Sequence, residues 1–138
     1  MKEDFTIQGA IYLASGGDSL DLHNNYLFTE IVYSLAERRA TLTWNRRSDD
    51  WVPATEPPQV QLVFIGVSSF RFMPRDPEMP FTEDDCLSSA GYWTDEDWCD
   101  GVMVFEGKPQ SDWLRAFAFQ SGAIVAIAAD EAHAIIRR

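Results

Sequence analysis

The chain has 138 residues, net charge −11, 46% hydrophobic and 24% charged side chains, which suits one globular domain spanning 1–138. So acidic a balance excludes a nucleic-acid binder, because it would repel phosphates. A domain of this length buries enough surface to fold without a metal, a cofactor or a disulfide. Met1 is followed by Lys2, Glu3 and Asp4 rather than by an apolar run, so no signal peptide is expected. The apolar run at 123–129 is far short of the ~20 residues of a membrane span. These features describe a soluble cytoplasmic protein, with Cys86 and Cys99 as thiols.

Periodicity points to strands along most of the chain. Phe5, Ile7, Gly9 and Ile11 alternate with Thr6, Gln8 and Ala10, and Ser15-Gly16-Gly17-Asp18 makes a turn. Residues 28–35 put Ile31, Tyr33 and Leu35 on one face. After a tight loop at 36–39, Ala40, Leu42 and Trp44 alternate with Thr41, Thr43 and Asn45, and the two runs form a hairpin. Residues 46–58 form a loop with Pro53, Pro57 and Pro58. The longest strand candidate is 59–72; it is apolar on both faces at 62–65, which suits a central strand, and Gly66 marks a bulge that bends it. Pro74, Pro77 and Pro80 end it. Further strands are expected at 102–105, 113–119 and 123–129. Residues 130–138 fit a strand or one short helix, and we read them as strand. The sum is an all-β domain, with an antiparallel sheet of about eight strands forming a sandwich or half-barrel.

Charge is concentrated in one place. Residues 76–106 hold ten acids (Asp76, Glu78, Glu83, Asp84, Asp85, Asp95, Glu96, Asp97, Asp100 and Glu106) and no basic residue, leaving the other 107 residues at −1. Phe81, Tyr92, Trp93, Trp98 and Phe105 are threaded through it. Such a surface suits a basic partner. Arg38, Arg39, Arg46 and Arg47 are expected together at one end of the hairpin, as cations for the acidic stretch or as a solvated turn.

Catalytic and metal chemistry find little support. No nucleophile elbow, P-loop, dinucleotide fingerprint or HExxH is present. His23 and His133 are dispersed and read as a loop residue and a half-buried edge residue. The cysteines lack zinc spacing. Asp95, Asp97 and Glu106 fall at positions 1, 3 and 12 of an EF-hand frame. That frame fails at Cys99, which offers no hard oxygen, and at Asp100, where glycine is needed, so no metal is expected. Trp93 and Trp98 read as packing residues that pin a long loop, or as interface anchors.

The "LH" of Leu22-His23 before a strand, the Val32-Tyr33 and Leu42-Thr43-Trp44 hairpin, the strand 62–70 and the hairpin 117–129 resemble small bacterial domains of unknown function, including immunity-protein-like families of toxin systems. The resemblance implies an antiparallel β fold and, for the immunity-like branch, inhibitory binding without catalysis. It carries over no functional residues, and the acidic insertion at 76–106 has no counterpart in it.

The sequence therefore reads as a non-catalytic protein-binding domain. A basic protein would dock through Asp84, Asp85, Asp95, Glu96 and Asp97, with Trp93 and Trp98 as apolar anchors. The rival is an enzyme or small-ligand protein with a pocket in the mouth of the sheet, served by convergent carboxylates and His23 or His133. A third reading is a homodimer built on an edge strand.

Overall fold

The structure, a computed structural model, describes residues 1–94, 103–105 and 109–138. It is all-β, with 54% strand and no α-helix among the described residues. No described helix is long and apolar enough to cross a membrane. Among the described residues there are twelve strands, more than the expected eight, because short strands near the N-terminus escape a periodicity count.

A five-stranded sheet has the order β1 (Lys2–Glu3), β12 (Glu131–Arg137), β7 (Gln59–Ile65), β6 (Arg39–Arg46), β5 (Tyr26–Ser34). A four-stranded sheet has the order β8 (Ser69–Met73), β11 (Ile124–Ala128), β10 (Leu114–Phe119), β9 (Leu87–Trp93). A third sheet holds β2 (Thr6–Gln8), β3 (Tyr12–Ser15) and β4 (Asp18–Asp21). Every pair is antiparallel except β1 with β12. None of the sheets closes into a barrel.

All three sheets face one core. Leu13 and Leu20 come from the small sheet, Leu42, Trp44, Leu62 and Phe64 from the five-stranded sheet, and Phe117, Val125 and Ile127 from the four-stranded sheet. Strand alternation sorts β10 in this way: Phe117 and Phe119 point into the core, while Leu114 and Ala116 point outward, where they pack with Trp93, Met103 and Ala126 in a second cluster.

The expected strand 59–72 is two strands in two sheets. Gly66 adopts φ +72°, a left-handed conformation that suits glycine, and the chain crosses there from β7 to β8. The strand paired with it crosses at the same place, from β11 to β12. Ile65 pairs with Glu131 and Ser69 with Ala128, so one extra residue lies on the glycine side. Together these strands form a single bent ribbon shared by the two large sheets, and the bulge supplies the bend. Arg38 at the β5–β6 tip secures the corner: its Nε donates to the Val67 carbonyl at 3.1 Å, and its own carbonyl accepts the Val67 amide at 2.8 Å.

Two expectations are corrected. Arg39 and Arg46 are the first and last residues of β6, so the arginine pairs lie at opposite ends of an eight-residue strand, about 23 Å apart at strand rise. The strand expected at 102–105 is reduced to one isolated bridge between Tyr92 and Val104, and Val102 lies outside the described residues. Residues 131–137 form a strand, as expected.

Candidate functional site

β5 and β8 are the outer strands of their sheets, and each pairs with one neighbour only. The folded-over sheet is open between them. At one end of the opening Tyr33 stacks on Phe70, with ring centroids 4.6 Å apart and planes 19° apart. At the other end residues 74–86 cross from β8 towards β5, and the Phe28 amide donates to the Asp85 carbonyl at 2.8 Å. Between these ends lies an apolar cleft of about 540 Å³. Its walls and floor include Phe28, Ile31, Phe119, Ala123 and Val125, and the Phe28 and Phe119 rings pack at a tilt of 31° with centroids 4.6 Å apart. The volume falls inside the ~300–1,000 Å³ range of ligand clefts.

The segment 74–86 is held like a strap. The Asp76 amide donates to the Ser121 carbonyl at 2.8 Å, the Ser121 amide to the Glu83 carbonyl at 3.1 Å, and the Gln120 amide to the Cys86 carbonyl at 2.9 Å. Within the strap Arg75 Nε donates to Asp84 Oδ1 at 2.8 Å, and its guanidinium also reaches the Met79 carbonyl and lies 4.6 Å from the Phe81 ring centre. The Arg75 hydrogen bond holds the Asp84 carboxyl below the usual range. Glu30, Asp84, Asp85 and Arg75 form the rim, which sums to −2. Among the described residues no cation pairs with Glu30 or Asp85. Phe72 is 54% exposed and Phe81 is 81% exposed, so apolar surface continues outside the cleft.

The expected site residues divide. Asp84 and Asp85 line the cleft together. Trp93 is corrected as an anchor: it is 6% exposed and packs with Met103, Leu114, Ala116 and Ala126, so its ring is spent on the fold. Asp95, Glu96, Asp97 and Trp98 lie outside the described residues, as do Asp100 and Glu106 of the EF-hand frame. Sequence reasoning missed Phe28, Ile31, Phe72 and Phe119. Phe28 and Ile31 on β5, Phe72 on β8 and Phe119 on β10 read as strand residues, but strand periodicity does not distinguish a core wall from a cleft wall.

Two histidine sites bear on catalysis. His23 Nδ1 lies 3.5 Å from Cys86 Sγ but 2.6 Å from the Leu87 carbonyl. A carbonyl only accepts, so Nδ1 carries the proton and donates to it, and Nδ1 has no lone pair for the thiol. Burial pushes the Cys86 thiol upward, away from thiolate. His133 instead bridges two carboxylates, with Nδ1 3.1 Å from Asp4 Oδ2 and Nε2 3.0 Å from Glu131 Oε2. It ties β12 to the N-terminal segment and lies outside the set of residues lining the cleft.

One charge cluster is buried. Arg115, 3% exposed, donates from Nε to Glu3 Oε2 at 2.8 Å and from its other arm to Glu3 Oε1 at 2.9 Å and to the Tyr92 hydroxyl at 2.6 Å. Burial, then the Glu3 hydrogen bond, pushes the Tyr92 phenol up to about 12. The cluster joins β1 to the four-stranded sheet, and its donors and acceptors satisfy one another.

Comparison with protein-family models, with curated proteins and with solved structures found no match to this chain. The geometry of the cleft therefore carries the functional argument.

Proposed function

We propose that this is a non-catalytic protein-binding domain, immunity-protein-like in role, that presents an acidic, aromatic surface to a basic protein in the cytoplasm. The observation that carries the reading is the exposure of Phe72 and Phe81 beside the rim of Glu30, Asp84 and Asp85. Apolar surface outside a cleft has no use to a small ligand already enclosed by it, whereas a protein interface uses both. Uncompensated carboxylates around that surface steer a cation-bearing partner and raise its on-rate.

A second reading has its own support. The cleft is bounded at both ends, which suits a small apolar ligand carrying a cationic group. In neither reading does the pocket supply a nucleophile with a base beside it.

The test is photo-crosslinking in cell lysate with a benzophenone side chain at position 81, and at position 59 on the far face as a control. The expected result is a basic protein captured at position 81 at low salt and lost at high salt, since steering decays over ~8 Å at physiological ionic strength. The variant carrying Asp84→Asn, Asp85→Asn, Asp95→Asn and Asp97→Asn should capture less. Equal capture by both proteins at both salt levels would reduce the acidic stretch to a solubility device.

A further inference from the structure

We propose that the cleft between β5 and β8 receives a bulky apolar side chain from an extended basic segment of the partner, recognised by side-chain insertion rather than by strand pairing. This rests on the protein-binding reading and names what that surface takes.

The lips argue against strand addition. β5 carries a bulge between Phe28 and Glu30, which leaves Thr29 without a cross-strand partner at the lip. A bulge breaks the even spacing of edge donors that an added strand needs. The Phe28 amide is already taken by the Asp85 carbonyl. On the opposite lip β8 stops at Met73, and Pro74 follows with no N–H to offer. The edges flanking the cleft are therefore poor templates, although each is an outer strand.

The interior argues for an apolar knob. Phe28, Ile31, Phe119 and Val125 offer no charge inside, so a polar group entering there would lose its water without replacement. The charge lies at the rim, where Glu30 and Asp85 have no described cationic partner. A lysine or arginine next to the inserted residue would meet them while its neighbour fills the cleft. Phe72 and Phe81 then cover the segment from outside.

The experiment is selection of a displayed random seven-residue peptide library on the immobilised protein, with affinities of synthetic winners measured by calorimetry. The expected winners carry a large aliphatic or aromatic residue beside Lys or Arg. Phe72→Ala, an exposed position, and Ala123→Leu, which fills the floor, should each weaken them by at least about tenfold while the far-ultraviolet spectrum and melting curve are retained. Methylating alternate backbone nitrogens of the winners should leave affinity within about threefold, because no strand is formed. Loss of binding on methylation would overturn the insertion mode. Basic winners lacking an apolar residue and indifferent to both substitutions would overturn the cleft inference and leave the acidic-surface reading standing. Acidic winners, or no enrichment at all, would overturn both. Tryptamine binding as tightly as the winners would overturn the segment in favour of the small ligand.

Discussion

A β-carbon on Gly66 would lie 2.1 Å from Oδ2 of Asp130, so the two residues that turn the ribbon from one sheet into the other compete for one corner. The Asp130 amide also donates to the Ile65 carbonyl at 3.0 Å across that corner. Gly66→Ala therefore meets two penalties, a left-handed backbone costing about 1–2 kcal/mol and a clash with the Asp130 side chain. The variant should lose roughly 2–4 kcal/mol in urea unfolding. In an Asp130→Ala background the loss should shrink towards the backbone term alone. Equal losses in both backgrounds would mean that the corner relaxes freely.

The Arg115–Glu3 pair predicts an asymmetric double-mutant cycle. Removing one partner leaves the other charged and buried, which costs about 3–5 kcal/mol. Arg115→Met or Glu3→Leu alone should fall near that range. Arg115→Met combined with Glu3→Leu should cost less than either single change, since no orphan charge is left. Additive losses would mean that water reaches the cluster.

His133 gives a pH dependence with a definite sign. The Glu131 hydrogen bond, then that of Asp4, raises its pKa above the ordinary 6.5. The cation is favoured in the folded state, so its stabilisation is complete below about 6.5 and is lost as pH rises through the folded value. A proton NMR titration of the His133 ring should give a midpoint above 6.5, with Glu131→Gln lowering it more than Asp4→Asn. A midpoint at or below 6.5 would mean that the bridge does not persist in solution.

Much of this architecture was legible from alternation. β5, β6, β10 and β11 emerged within two residues of their bounds, because each is a run of strand-forming residues closed off by turn or loop residues. The crossing at Gly66 was legible as a bend but not as a change of sheet, since strand-forming residues continue on both sides of it and only the register with β11 and β12 separates the two strands. The cleft was half legible. Asp84 and Asp85 stood out by charge, and a pocket in the sheet mouth was weighed as the rival. Its apolar lining was hidden, because Phe28 and Phe119 carry the same periodicity as any core residue. The His23–Cys86 proximity spans 63 positions and has no local signature.

Cys86 should behave as an unreactive thiol. Burial raises its pKa, and the nearest imidazole nitrogen is committed to the Leu87 carbonyl. In a Cys99→Ser background, alkylation by iodoacetamide near neutral pH should be slower than that of free cysteine, and His23→Ala should not slow it further. Faster alkylation than free cysteine, abolished by His23→Ala, would indicate an activated nucleophile and reopen the enzymatic reading.

The placement of β12 also affects synthesis. β7 lies inside its sheet between β6 and β12, yet its two partners are far apart in sequence: β6 precedes β7 directly, while β12 follows only after β8, β9, β10 and β11. A growing chain therefore carries β5, β6 and β7 as a meander with a raw edge at β7 until β12 has emerged. Leu62 and Phe64, both fully buried in the finished protein, belong to that waiting edge. Pairings of such long sequence separation form slowly, on the ~millisecond-to-second scale of all-β domains. The interval between emergence of β7 and arrival of β12 is thus the time at which the nascent chain is most exposed to aggregation.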